Sequence, residues 1–318
     1  MDLMRLRQSA GIRALMSETQ VSASQLVMPL FIHEGISEPR PVAAMPGIFQ
    51  HSVHSVIDEV AELVGLGIRA VLLFGIPVEK TPTADAAFNP NGGVQQVISV
   101  LKQKFPELVV MADCCLCEYS ADGHCGPRDS AGNIDLEKTL IILEKVALSY
   151  AKAGVDIVAP SGMMDGMIAR LRSALDQNGF SRTLLMSYAV KYASAFYGPF
   201  REAAGSGDHF VGHRKDHQMN PAQIREAFRE AQADVDQGAD ILMVKPGLPY
   251  LDVLAQLRQR HDLPLAVYQV SGEYAMIKAA AAAGALDERA AIQETLTAFR
   301  RAGADLIITY FAKDYARL

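Results

Sequence analysis

The residues able to do chemistry in this sequence are concentrated. All four cysteines fall in the run Asp113-Cys114-Cys115-Leu116-Cys117-Glu118-Tyr119-Ser120-Ala121-Asp122-Gly123-His124-Cys125, directly after the apolar Leu108-Val109-Val110-Met111. If the segment continues as a strand, side chains two apart share a face, so Cys115 and Cys117 point together and Cys114 points away. Gly123 permits a return of the chain that brings Cys125 back to that pair. Three thiolates without an assured fourth ligand describe a zinc site with an open coordination position, as catalysis requires; a structural site is normally closed by a fourth Cys or His. His124 is the candidate for that closing ligand. A disulfide, or crowding of small buried residues, also accommodates the spacing.

Two lysines end apolar runs. Lys191 follows Leu184-Leu185-Met186-Ser187-Tyr188-Ala189-Val190, and Lys245 follows Ile241-Leu242-Met243-Val244 and precedes Pro246. A single lysine so placed is commonly a snorkelling surface residue. Burial and a second cation each lower a lysine pKa, giving the neutral amine that attacks a carbonyl to form a Schiff base. Two lysines on neighbouring strands would each supply that cation to the other. Between them, residues 193–219 are too rich in Gly, Phe and polar residues for one regular element and read as an active-site lid. Arg201 and Arg214 lie on it, and their planar forks suit bidentate carboxylate capture, with solvated surface arginines as the alternative. Ser271 and Tyr310 end two further apolar runs; their hydroxyls suit a second carboxylate or a hydrogen bond to a local turn.

The elements that must position these groups recur along the chain. Apolar runs at 26–32, 70–74, 108–112, 157–159, 183–187, 241–244, 264–270 and 306–308 alternate with helix-like stretches. Several runs follow a Gly-containing turn, as in Gly154-Val155-Asp156, Gly238-Ala239-Asp240 and Gly303-Ala304-Asp305, where glycine suits a helix C-terminus and the unalternated aliphatics suit strands buried on both faces. Eight such units predict an α/β fold, a TIM (β/α)8 barrel, with strand ends carrying the chemistry. A doubly wound sheet shares the alternation, but no GxGxxG opens a first crossover. Asn220-Pro221-Ala222-Gln223 predicts a helix over about 221–237, and the alanine-rich 279–283 a tightly packed one. Residues 1–24, with Arg5, Arg7 and Arg13, read as an extended N-terminal arm outside a single barrel domain of 25–318: a frayed tail, or an arm that packs on another subunit.

Bulk properties narrow the function classes. The chain has 318 residues, 50% of them hydrophobic, and a net charge of −6. Its pI near 5.8 argues against a nucleic-acid footprint. No apolar stretch approaches the ~18 residues of a membrane span. Without the apolar core of a signal peptide, a cytoplasmic enzyme with reduced thiols is expected.

The phrases Lys191-Tyr192-Ala193-Ser194-Ala195-Phe196-Tyr197-Gly198-Pro199-Phe200-Arg201, Met243-Val244-Lys245-Pro246, Tyr268-Gln269-Val270-Ser271-Gly272-Glu273-Tyr274-Ala275-Met276 and Asn89-Pro90-Asn91-Gly92 resemble the porphobilinogen synthase (5-aminolevulinate dehydratase) family, and the similarity runs from about Arg5 to Phe311. The resemblance implies a TIM barrel that condenses two 5-aminolevulinate molecules to porphobilinogen with loss of two waters, in tetrapyrrole (haem) biosynthesis. It implies that Lys245 forms the Schiff base at a site whose carboxylate meets Ser271 and Tyr310. Lys191 would hold the second substrate, with its carboxylate on Arg201, Arg214 and Gln218. Phe200 falls in the same motif, and Asp113 and Ser161 match polar active-site positions at strand ends. Cys115, Cys117 and Cys125 would hold a catalytic zinc, with Cys114 outside the ligand set. Glu230 matches the position at which some members bind an activating, allosteric magnesium; an ordinary salt-bridged face with Arg229 fits it equally. The family forms octamers or hexamers built with the N-terminal arm. In the lid, Gly212-His213-Arg214-Lys215-Asp216-His217-Gln218 departs from the family's usual Gly-Asp-Arg and from its Tyr before the Gln.

Two rivals share part of this pattern. A class I aldolase would have the barrel and a Schiff-base lysine but needs neither three thiolates nor a second lysine. A non-catalytic zinc protein explains the cysteines and leaves the lysines unexplained.

Overall fold

A computed structural model of the chain describes residues 3–205 and 213–318; residues 206–212, within the expected lid, and the first two residues lie outside the described part. One ten-stranded sheet is formed by β1 (Leu26–His33), β2 (Arg40–Pro41), β3 (Phe49–His51), β4 (Ala70–Ile76), β5 (Val109–Cys114), β6 (Ile157–Pro160), β7 (Leu184–Lys191), β8 (Ile241–Lys245), β9 (Leu265–Gln269) and β10 (Leu306–Thr309). Strand β1 and strands β4 to β10 pair side by side in parallel, and β10 returns to β1 through Leu26↔Ile307 and Val27↔Ile308. That closure makes the sheet a barrel and excludes the doubly wound alternative. Every residue of β4, β6, β8 and β9 is buried, as expected of strands covered on both faces. The short β2 and β3, which no apolar run announced, form a flap against β1 through Phe31↔Gln50 and Ile32↔His51.

The helices are α1 (Ala10–Leu15), α2 (Val56–Gly65), α3 (Gly93–Lys104), α4 (Leu136–Ala153), α5 (Met167–Gln177), α6 (Gly198–Ala203), α7 (Arg225–Asp236), α8 (Leu251–Arg258), α9 (Ser271–Ala282), α10 (Glu288–Ala302) and α11 (Ala312–Ala316). Side chains of Asp135 and Asp287 cap α4 and α10, and Gly154 and Gly303 end them with φ of 98° and 114°, where a side chain would be strained. The repeated Gly-x-Asp of the sequence has a second use. Asp156 accepts the N–H of Val110 at 2.8 Å, Asp240 that of Leu185 at 2.8 Å, and Asp305 that of Leu265 at 3.0 Å. Each carboxylate also meets a helix cation: Lys102, Arg172 and Arg258 respectively. Three strands are thereby tied to their neighbours at the end of the barrel remote from the strand-end lysines, which is the stability face of this architecture.

Two local expectations need correction. The helix read as 221–237 begins at Arg225, because Asn220 closes a turn on itself: its Oδ1 accepts from Ala222 and its carbonyl from Gln223. The described residues of the stretch 193–219 include regular structure. They contain a 3-10 turn (Ala195–Tyr197) and α6, and they rejoin β7 where Met219 N–H donates to Lys191 and Met219 carbonyl accepts from Ala193. At the N-terminus a 3-10 turn (Leu3–Arg7) precedes α1, and Val21 is tied to the barrel by the Tyr315 hydroxyl.

Candidate active site

Strands β7 and β8 end together. Lys191 and Lys245 are partners in register, and both are nearly buried, 7% and 6% exposed. The Lys191 ammonium donates to the Ser161 carbonyl at 2.7 Å. The Lys245 ammonium instead sits among rings, 4.4 Å from the centroid of Tyr268, 5.0 Å from Tyr188 and 5.4 Å from both Tyr197 and Phe200. Burial first, and the nearby Lys191 charge second, bring its pKa down to about 7. This is the environment that makes an amine nucleophilic near neutral pH.

Beside the lysines, at the end of β5, Asp113 accepts from the Ser161 hydroxyl at 3.2 Å through Oδ2, while its buried Oδ1 has no hydrogen-bond partner among the described residues. Burial, then Glu118 and Cys115, push its carboxyl well above the usual range, so a proton is held there more readily than on an exposed aspartate.

The cysteines converge, though by a turn rather than by strand alternation. Strand β5 stops at Cys114, and a turn closed by Tyr119 and Ser120 on the Leu116 carbonyl sets the Cys115 and Cys117 sulfurs 3.4 Å apart. Gly123, at φ 69°, carries the chain back, and Cys125 joins them. The three sulfurs lie within 4.8 Å of one another and all three residues are buried. Cys114 points away and donates to the Leu143 carbonyl at 3.7 Å; His124 is buried beside the group but outside it. No disulfide is present, all four cysteines being free. Hydrogen bonds with Cys117 and Cys125 lower the Cys115 pKa well below normal, whereas hydrogen bonds with Cys115 and Cys125 raise that of Cys117. Three convergent buried sulfurs are a donor set that fits a thiophilic divalent cation such as zinc, which would accept all three as thiolates. A second convergent group, Asp113, Cys115 and Glu118, shares one of the sulfurs.

A cavity brings these parts together, lined by Asp113, Cys117, Ser161, Lys191, Phe200, Arg214, Gln218, Lys245, Ser271 and Tyr310. Arg201 lines instead an outer chamber that shares Arg214 and Gln218 with the inner one. Arg214 donates to the Gly123 carbonyl at 2.7 Å, so the segment that follows residue 212 is joined to the cysteine loop. Burial works against the Arg214 charge, and the sulfurs and Glu118 outweigh it. Burial and Arg214 both disfavour the charge on Arg201, a mutual repulsion that an anion would relieve. The Gln218 amide nitrogen is buried without a hydrogen-bond partner among the described residues. The Tyr310 and Tyr268 hydroxyls are 3.1 Å apart, and the Ser271 hydroxyl accepts from the Phe200 N–H at 2.9 Å, a bond to a distant segment and not to the local turn anticipated for it, while Ser271 also lies on the cavity wall.

Several wall residues escaped the sequence reading: Phe74, Glu118, Tyr197, Tyr268 and Val270. Each sits at or just past the end of an apolar run or inside a quoted motif, and strand-end position was the available signal. Glu230, on α7, is half-buried and belongs to neither group of convergent metal-binding side chains among the described residues.

The chain's relatives have the same extent. A family model described as delta-aminolevulinic acid dehydratase matches residues 2–318. The chain is 49% identical over 316 residues to the delta-aminolevulinic acid dehydratase of Synechococcus elongatus, covering 98% of this chain and 97% of that one. It is 50% identical over 313 residues to that of Bacillus subtilis, covering 98% and 96%. Among solved structures, delta-aminolevulinic acid dehydratase (porphobilinogen synthase) from Toxoplasma gondii, in complex with the reaction product porphobilinogen, superposes with a TM-score of 0.96 at 44% identity, covering all of this chain and 91% of that one. With this sequence, this closed barrel and these strand-end lysines, the chain belongs to the delta-aminolevulinic acid dehydratase family.

Proposed function

We propose that this protein is a porphobilinogen synthase that condenses two 5-aminolevulinate molecules to porphobilinogen with loss of two waters. The observation that carries the reading is the pair of register-matched, buried lysines in one cavity whose wall includes Cys117, a member of the three-sulfur cluster. Lys245, as the neutral amine, attacks the ketone carbon of the first substrate, and loss of water leaves a Schiff base. Ser271 and Tyr310 hold that substrate's carboxylate. Lys191 holds the second substrate, whose carboxylate lies between Arg201, Arg214 and Gln218. Asp113, with one oxygen unsatisfied and a raised pKa, exchanges protons with the reacting carbons or amine. Phe200, Tyr197 and Tyr268 shield the Schiff-base nitrogen from water. A zinc ion held by Cys115, Cys117 and Cys125 would supply a Lewis acid and a template for the second substrate.

Leu3, Met4, Leu6 and Leu15 are 57–77% exposed, which suits an arm that covers them on another copy in a homo-octamer or hexamer. Burial first, then Asp165 and Glu226, raise the Glu230 pKa, and an allosteric magnesium ion there would relieve that repulsion. No helix among the described residues is long and apolar enough to cross a membrane, and four free thiols suit a reducing cytoplasm. The test is incubation with 5-aminolevulinate in zinc-replete, reducing buffer, followed by an aldehyde colour reagent for the pyrrole. Absence of pyrrole refutes the reading.

A further inference from the structure

Glu273 is fully buried and lines neither chamber. Its carboxylate accepts three backbone N–H bonds from two separate segments. Leu248 donates to Oε1 at 2.6 Å, Gly247 to Oε2 at 3.2 Å, and Val270 to Oε2 at 2.7 Å. Gly247 and Leu248 form the turn that leaves β8 two residues after Lys245; Val270 is the residue before Ser271, where α9 begins. One side chain therefore clamps the exit of the lysine strand to the start of the helix that presents the serine. The space around the clamp is closed: a Cβ on Gly247 would come within 2.5 Å of the Phe299 ring, and one on Gly272 within 2.5 Å of the Phe196 carbonyl. Neither segment can drift without breaking these contacts.

We propose that Glu273 is a positioning residue that sets the distance between the Lys245 amine and the Ser271 carboxylate-binding point, and so gives the Schiff-base site its preference for a keto acid over a neutral ketone. The inference rests on the proposed Schiff-base role of Lys245. Glu273 is not among the leading charges that act on Lys245, and its contacts reach that strand through the backbone of Gly247 and Leu248. A buried carboxylate satisfied by three N–H groups is rigid because every alternative leaves donors unpaired. Chemical selectivity between two ligands that differ only in a remote carboxylate depends on holding both contact points at once.

The test uses the unaltered protein, Glu273→Gln and Glu273→Asp, with levulinate and 2-pentanone as trapping ketones. In each case the amine displaces water from the carbonyl, borohydride delivers hydride to the imine carbon, the nitrogen takes a proton from water, and mass spectrometry reads the modified lysine. The unaltered protein is expected to trap levulinate at Lys245 with strong preference. Gln keeps the acceptor oxygen but presents an amide to one N–H, and Asp is one methylene short; both are expected to lower the levulinate-to-pentanone ratio at least tenfold at unchanged pH dependence. Equal losses for both ketones, or an unchanged ratio in a folded variant, would overturn the proposal. No trapping at Lys245 in the unaltered protein would instead remove the Schiff-base reading on which it stands. If neither variant folds, hydrogen exchange of the unaltered protein decides: trapped levulinate should protect residues 246–250 and 270–274 together, and protection of one segment alone would overturn the coupling.

Discussion

Lys191 and Lys245 face each other in register on adjacent parallel strands, and both ammonium groups lie over the same Tyr188 ring, at 5.5 and 5.0 Å from its centroid. Two cations so placed in a buried cavity cannot both be comfortably charged, and Lys245, with its pKa near 7, is the one that gives way.

Removing the Lys245 amine should end the chemistry. In Lys245→Ala, pyrrole formation is expected to fall to background and borohydride trapping at that strand to vanish, while thermal unfolding still shows a folded barrel. Normal turnover in that variant would eliminate Lys245 as the nucleophile.

The pH dependence has a definite sign. A lysine with its pKa lowered to about 7 is protonated and inert below that value, so trapping at Lys245 should rise with pH through 7. At pH 6 it should run at about a tenth of its plateau. In Lys191→Met the repelling charge is gone, the Lys245 pKa rises, and the midpoint should move to higher pH. A midpoint that stays put would assign the depression to burial alone.

Cys117→Ser should lower zinc stoichiometry and turnover together, since a serine hydroxyl is not a competent ligand at neutral pH. A loss of zinc affinity at least as large as the roughly 10–100-fold seen on removing a supporting group is expected. Metal analysis after dialysis reads it directly. Cys114→Ser, whose sulfur faces the Leu143 carbonyl, should leave the stoichiometry unchanged.

Arg214 joins the segment that follows residue 212 to the cysteine loop and lines both chambers. Arg214→Lys keeps the charge but loses the fork, so half-saturation by substrate should rise on the order of 10–100-fold, the equivalent of one charge-assisted hydrogen bond. Steady-state kinetics in which Lys replaces Arg without loss would place the carboxylate elsewhere.

Asp305 ties β9 to its neighbour strand and meets Arg258 and Arg300. Because it sits at the stability face, Asp305→Ala should lower unfolding free energy by about 1–3 kcal/mol in denaturant titration while the folded variant keeps near-normal turnover. A selective loss of turnover would contradict that division of labour.

Much of this architecture was legible in the residues because it depends on short-range rules. Unalternated aliphatic runs mark strands buried on both faces, glycine marks the helix ends at Gly154 and Gly303, and cysteines crowded after one strand mark a loop whose sulfurs converge. The positions of Lys191 and Lys245 at strand ends followed from the same runs. What the local pattern left open was settled by contacts between distant segments. Closure of β10 on β1 chose the barrel over the open sheet. A turn, and not strand alternation, paired Cys115 with Cys117. Asn220 spent its capping group on its own turn, which moved the start of α7 to Arg225. The reach of Glu273 across to Gly247 and Leu248 has no signature in either segment, since a backbone N–H looks the same in every sequence. Periodicity and capping are written residue by residue, whereas register between strands, the return of a loop and the partner of a buried carboxylate exist only once the chain has closed around its core.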